Sequence, residues 1–231
     1  MRLFGLLASL SLSLSIAASV ALLLAACAHP REPAARPSHT AAVRHINPAN
    51  IRRAGRELPP GYEVSALTGV AAPPASWGLG GDGAANPARC AALADPAGGH
   101  GELAQGISGS GTGGIVYAVI ATVPTGPLAL DQSLVAGCRQ WSMTSRRARA
   151  QVHLVDPPRI DGAQTLGMVT DIVTSVEGGN EIDSRASTFT AYLGNYYAFT
   201  TVVSDPGSPD PALTPQFAAE LLVKSVSAVR G

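Results

Sequence analysis

The sequence predicts an α+β domain in which helices pack on an antiparallel β-sheet and one disulfide braces the fold. Three observations carry this prediction. Strand-like segments come in consecutive runs, at 141–155 and 164–204, and do not alternate with helices as in βαβ proteins. Gly194-Asn195 supplies a two-residue loop suited to a tight hairpin. A capping residue followed by proline marks three helix starts, at Asn47-Pro48, Asn86-Pro87 and Thr214-Pro215.

The first half of the domain is predicted to contain three helices and three strands. Region 68–85 is rich in Gly and Pro, and we expect an ordered surface loop anchored by Trp77. In the third helix Leu130, Leu134 and Cys138 share one face, so this helix should pack on the sheet. The helices are expected at 48–56, 87–94 and 128–140, and the strands at 62–67, 103–110 and 115–123.

The second half is predicted to be mostly sheet. Apolar residues alternate over 164–176, which indicates a long strand, and 177–180 has the composition of a turn. A closing helix begins at the cap Thr214, with Pro215 in its first position. The strands are expected at 141–145, 148–155, 164–176, 185–193 and 196–204.

The first residues predict export and lipid anchoring. Met1-Arg2 precedes an uncharged apolar run at 3–24, long enough for the roughly 20 residues that span a bilayer. The run ends in Leu24-Ala25-Ala26-Cys27, which resembles the lipobox of bacterial lipoproteins, where the signal peptide is cut before the Cys. This resemblance implies a thioether-linked diacylglycerol, carrying acyl chains such as palmitate, on Cys27. An uncleaved signal anchor and an ordinary secretory signal are the alternatives.

The lipobox also divides the chain. Residues 1–26 are then a lipoprotein signal peptide, 27–45 a polar, Pro-rich flexible tether, and 46–231 a single folded domain. The mature protein is expected at the extracytoplasmic face of the cell membrane, held there by the lipid.

The cysteines fit an exported protein. Lipidation of Cys27 leaves an even pair, Cys90 and Cys138, which should oxidise to one disulfide outside the cytoplasm. Two buried, reduced thiols are the rival interpretation. A metal site lacks the usual Cys-x-x-Cys or paired His spacing, and no base accompanies a Cys for catalysis.

Gly109, Gly111 and Gly114 spell the G-x-G-x-x-G string of dinucleotide-binding proteins. That fingerprint must leave a strand and enter a helix, yet a β-branched, strand-like run follows Gly114. We therefore predict a hairpin connection and no nucleotide cofactor. Ser108 and Ser110 lie in an imperfect G-x-S-x-G string without the strand-to-helix turn of a hydrolase, so no catalytic residue is assigned.

Composition excludes some partners. The 16 basic and 16 acidic residues balance, so nucleic-acid binding has no electrostatic support. Glu177, Glu181 and Asp183 lack calcium-loop spacing, and neither a metal nor another cofactor is predicted. Lys224 is the single Lys, and abundant Ala, Gly and Pro accompany it, which is typical of a GC-rich bacterial source such as an actinobacterium.

Several stretches carry a family resemblance: Ile46-Asn47-Pro48, Leu58-Pro59-Pro60-Gly61-Tyr62, Cys90-Ala91-Ala92-Leu93, Gly113-Gly114-Ile115 and the closing Phe217-Ala218-Ala219-Glu220. Together they resemble a domain of unknown function in mycobacterial lipoproteins, which is distantly similar to the PknH-like extracellular sensor domain. The resemblance implies a sheet backed by helices with a solvent-filled cleft. It transfers no catalytic motif, and the sensor domain carries two disulfides where this chain allows one.

The expected function is a membrane-anchored, non-catalytic envelope lipoprotein that binds a lipid, cell-wall or protein ligand. The alternatives are a lipid or glycolipid carrier and an envelope hydrolase. A carrier should show a continuous apolar cavity, whereas a hydrolase should show Ser or Asp beside His in a cleft.

Overall fold

The computed structural model describes residues 45–69, 72–99 and 102–231. Their strands form one nine-stranded sheet in the order β1-β3-β4-β9-β8-β7-β6-β5-β2, with every neighbouring pair antiparallel. The predicted α+β class is thereby confirmed. The strands are β1 (Glu63–Thr68), β2 (Ala84–Asn86), β3 (Glu102–Gly111), β4 (Gly114–Thr122), β5 (Gln140–Thr144), β6 (Ala148–Val155), β7 (Gln164–Ser175), β8 (Glu181–Tyr192) and β9 (Tyr196–Val203).

Two helices cover one face of the sheet, called here the helical face. A 3₁₀ helix (Pro48–Glu57) is capped by Asn47, whose side chain accepts from the Ala49 N–H. A 15-residue helix near the C-terminus begins at Pro215 and is capped by Thr214, whose hydroxyl accepts from the Phe217 N–H at 3.2 Å. The predicted closing helix is thus present, and its apolar stripe packs on the inward residues of β4, β8 and β9.

The opposite face, called here the disulfide face, is covered by short segments. Trp77 is buried, and its indole N–H donates to the Thr188 hydroxyl on β8 at 3.0 Å. The predicted disulfide joins Cys90 to Cys138, with 5.7 Å between their Cα atoms, and both residues are buried in the same core as Trp77. The described α-helices are α1 (Pro73–Ser76), α2 (Ala91–Ala94), α3 (Gln132–Gly137) and α4 (Pro215–Val229). The 3₁₀ helices are Pro48–Glu57 and Ala88–Cys90.

Two helix predictions were wrong in detail. The helix expected at 128–140 is limited to α3, because the Asp131 carboxylate accepts from the Ser133 and Leu134 N–H groups and so fixes a later start. Together with a hydrogen bond from the Ser133 hydroxyl, these bonds to the carboxylate lower the pKa of Asp131. Asn86 caps no helix, since it ends strand β2 and pairs with Ser142 on β5.

The glycine string lies where the hairpin was predicted. Gly111 pairs with Gly114 across the β3–β4 turn, and no helix follows. A Cβ atom built on Gly111 would stand 2.5 Å from the Tyr62 ring, so the absence of a side chain lets Tyr62 pack flat on β3. Gly111 therefore serves aromatic packing.

Among the described helices, none has both the length and the apolar character that crossing a bilayer demands. Residues 1–44, which include the apolar run and Cys27, lie outside the described residues.

Candidate functional site

A groove of about 440 Å³ runs on the helical face between α4 and the segment Val155–Pro158 that follows β6. Val169 and Phe189 of the sheet lie at its floor. Ala219 and Val223 line it from α4. Ligand sites are usually concave, largely apolar and of about 300–1,000 Å³, and this groove fits that description.

The wall opposite α4 follows from a proline pair. Pro157 and Pro158 lack the N–H groups that continue a sheet, so β6 ends at Val155 and the chain turns away. The Pro158 carbonyl accepts from the Thr165 hydroxyl at 2.8 Å, which fixes the segment against β7. We call residues 155–158 the proline strap.

A glycine sets how closely the strap approaches the floor. A Cβ atom on Gly167 would stand 2.8 Å from the Val155 carbonyl oxygen and 2.9 Å from the Phe189 ring. The residue therefore has to be small for the strap and Phe189 to meet. Gly167 thus positions the groove without binding anything.

The charged residues that line this groove are both acidic. Asp156 stands on the strap and makes no hydrogen bond or ion pair with a described residue. Glu220 stands on α4, where Gln216 donates to its carboxylate at 2.8 Å. Lys224, one turn further, is directed to Glu57 of the 3₁₀ helix at 2.7 Å, and this bond raises the pKa of Lys224. Glu220, one turn earlier on α4, also raises the pKa of Lys224, so this cation acts on both carboxylates.

The groove continues along α4 into a second hollow of about 450 Å³. Val223 lines both hollows, so the two form one trough beside the helix. Arg159 and Arg230 line the second hollow, and Arg230 donates to the carbonyls of Asp161 and Gly162 at 2.7 and 3.1 Å.

Beside the trough, the sheet continues as an open polar surface. Gln151, Asp171 and Arg185 stand in register on β6, β7 and β8. Arg185 donates to the Asp171 carboxylate at 2.8 Å, and this contact raises the pKa of Arg185. Arg185 and Asp171 therefore neutralise each other.

The lining of the 440 Å³ hollow is mainly apolar and carries two carboxylates. The residues that line its 440 Å³ hollow include no Ser, Cys, His or Tyr. His153 lies on β6 beside Gln140 and Val169 in the strand register. Within 45–69, 72–99 and 102–231, no cluster of three or more His, Cys, Asp or Glu could hold a metal ion.

The residues predicted from the sequence lie apart from the trough. Cys90 and Cys138 are on the disulfide face, where they brace the fold. Cys27, the predicted lipidation site, lies outside the described residues. The trough residues were missed, and the signals available for them were the proline pair after a strand and the polar flank of the closing helix.

The architecture defines a class: an antiparallel sheet domain with two long helices on one face, short helical segments on the other, and a trough beside the last helix. Comparison with known families gives the identification, because the family described as "Domain of unknown function (DUF5642)" matches residues 47–230. The chain belongs to this family. The resemblance drawn from the sequence is thereby confirmed. No curated protein matches the chain.

The comparison with solved structures finds two similar chains. One is an uncharacterised protein, an Rv0999 ortholog, from Mycobacterium smegmatis, with 22% identity, a TM-score of 0.58, and coverage of 82% of this chain and 100% of that chain. The other is the extracellular domain of PknH from Mycobacterium tuberculosis, with 11% identity, a TM-score of 0.42, and coverage of 81% and 94%. At these identities the first similarity concerns the fold alone.

Proposed function

We propose that this protein is a membrane-tethered envelope lipoprotein without catalytic activity, and that its domain binds a ligand or partner protein in the trough beside α4. The observation that carries the proposal is the 440 Å³ hollow itself, with an apolar floor and two carboxylates at its rim. Such a surface offers shape and charge for recognition.

Export and anchoring are supported by two features. The string Leu24-Ala25-Ala26-Cys27 has the order and small residues of a lipobox. The Cys90–Cys138 disulfide suits an oxidising compartment, since such bonds are rare in the cytosol. We therefore keep Cys27 as the site of a diacylglyceryl anchor.

The alternatives find less support. A carrier should enclose its lipid in a continuous apolar cavity, whereas the trough is open and has Asp156 and Glu220 at its rim. A hydrolase should place a nucleophile beside a base, and the residues that line the 440 Å³ hollow include no His or Ser. A binding module accounts best for what lines the trough.

The anchor is tested by Cys27→Ala. The variant should move from the membrane fraction to the soluble or secreted fraction, because a single thioether-linked lipid is the proposed attachment. Mass spectrometry of the mature wild-type N-terminus should find diacylglycerol on Cys27. An unmodified Cys27 would contradict the anchor, and Ser38→Ala in the predicted tether is the control that should leave fractionation unchanged.

The trough is tested by filling it. Val223 is 39% exposed, and Ile182, at the far hairpin, is 44% exposed, so Val223→Trp and Ile182→Trp are matched changes. Full-length protein is purified from its native envelope, and co-purifying lipids, glycans and proteins are compared. We expect Val223→Trp to lose a species that Ile182→Trp retains. Identical profiles for both variants would contradict binding in the trough.

A further inference from the structure

The charges of this chain are distributed unevenly along it, although they balance overall. Residues 28–57 contain six Arg against two Glu, whereas residues 58–231 contain nine basic and fourteen acidic residues. An excess of one charge in one part of a chain indicates a partner of the opposite charge for that part. The basic part directly follows Cys27, the predicted lipidation site.

The described portion of this basic part is the 3₁₀ helix at the start of the domain. Ile51 and Ala54 are its buried residues, so the arginines between and after them point outward. Arg52, Arg53 and Arg56 are all exposed, and none forms an ion pair with a described residue. We call these three residues the arginine face.

The acidic residues nearest in the chain do not cancel the arginine face. Glu57 ends the helix, but its carboxylate contacts the Lys224 ammonium at 2.7 Å, so this pair carries no net charge. Glu63 on β1 is the next acidic residue along the chain. Counted against the three arginines, it still leaves an excess of positive charge.

A second arginine-rich stretch, at 146–149, differs in having acidic partners. Arg146 lies 3.8 Å from the Asp82 carboxylate, and Arg149 lies 2.9 Å from the Glu181 carboxylate. Within the described part of the chain, the arginine face has no such partners and is available to an external anion.

The chemistry and position of the arginine face favour anionic phospholipids as the partner. Guanidinium groups bind phosphate oxygens through paired N–H donors. Arg52 follows Cys27 by 25 positions, so the bilayer that holds the proposed lipid is the polyanion nearest to this face along the chain. The helix exposes no large apolar side chain, so the contact is with headgroups and not with acyl chains.

We propose that the arginine face docks the domain on the anionic phospholipid headgroups of the membrane that carries the lipid anchor. This inference rests on the anchor of the proposed function and adds a second, electrostatic contact to it. Each basic residue close to an anionic surface favours binding by about fivefold, so three favour the docked state by roughly a hundredfold.

The test measures how close the domain comes to the bilayer. The full-length chain is reconstituted from detergent into vesicles that contain a rhodamine-labelled lipid, and a fluorescent amino acid replaces exposed Ala49 on the 3₁₀ helix or exposed Ile182 on the far hairpin. Energy transfer from position 49 should increase when phosphatidylglycerol replaces part of the phosphatidylcholine, and transfer from position 182 should change less. Salt at about 0.5 M should reverse the increase, because exposed charges are screened.

Two triple variants locate the effect. Combined Arg52→Gln, Arg53→Gln and Arg56→Gln should lower the ratio of docked to undocked chains about a hundredfold, so that energy transfer in anionic vesicles falls to its value in neutral ones. The melting temperature should stay unchanged, since all three side chains are exposed. The matched control changes the three arginines of 146–149 to Gln, which removes the same charge and should preserve the response to phosphatidylglycerol.

The outcomes separate this inference from the proposed function. Equal energy transfer in neutral and anionic vesicles, or a response that survives the loss of the arginine face, would overturn the docking surface. Flotation with neutral vesicles reports the anchor by itself, so a chain that floats without responding to phosphatidylglycerol keeps the anchor and loses the docking surface. A chain that does not float with neutral vesicles loses the anchor, and energy transfer on mixing with anionic vesicles still measures docking.

Discussion

Reducing the Cys90–Cys138 disulfide should cost the domain much of its stability. The bond joins positions separated by 48 residues, and both side chains are completely buried. In the chain-entropy description, releasing a loop of this length restores unfolded-state freedom worth about 4 kcal/mol at 25 °C. A domain of this size is stable by about 5–15 kcal/mol in total, so reduction should leave it marginal.

The assay is urea unfolding of the full-length chain with and without a thiol reductant. Trp77 and Trp141 are buried in the same core as the disulfide, so tryptophan fluorescence reports the transition. We expect the free energy of unfolding to fall by about 4 kcal/mol, less if the reduced unfolded chain keeps residual structure. The control is Cys90→Ala with Cys138→Ala, which should be destabilised already and should not respond to the reductant.

Two results would refute this reasoning. A loss below about 1 kcal/mol on complete reduction would mean that the loop is restrained in the unfolded chain by something else. An equal response of the double Ala variant to the reductant would mean that the effect arises away from this pair.

Two further predictions concern packing. Gly111→Ala should destabilise the domain by about 1–3 kcal/mol, because the added Cβ meets the Tyr62 ring, whereas Gly81→Ala, which has no atom within 4 Å, should be nearly neutral; equal melting temperatures would contradict the packing role. Trp77→Phe should cost about 1 kcal/mol or more through the lost hydrogen bond to Thr188, and an unchanged urea midpoint would show that the indole N–H contributes nothing.

The elements that depend on local chemistry were predictable from the sequence. Gly194-Asn195 joins β8 and β9 as expected, and Thr214 with Pro215 starts α4. The disulfide was also predictable, because lipidation of Cys27 would leave one pair. The loop and the helix start are each determined by two adjacent residues, and the disulfide follows from the number of cysteines.

Elements fixed by distant contacts were not predictable. Leu130 stays outside a helix, and its N–H donates to the Gln164 side chain on β7. Asn86 stands before a proline, as a helix cap often does, but it belongs to strand β2 and pairs with β5. No local pattern records either contact, because each depends on how far-separated segments meet in the fold.

The trough was missed for the same reason. Asp156 follows a strand and Glu220 lies on the closing helix, so nothing in the sequence marks them as neighbours. The family resemblance implied a cleft without assigning its residues. Only the packing of α4 against the strap brings the two carboxylates to opposite walls.

Photocrosslinking in living cells tests the central claim most directly. A benzophenone amino acid is placed at Val223 in the trough or at Ile182 on the far hairpin, two positions with comparable exposure. The account predicts a discrete adduct at position 223 and none at position 182. Equal adducts at both positions would contradict it.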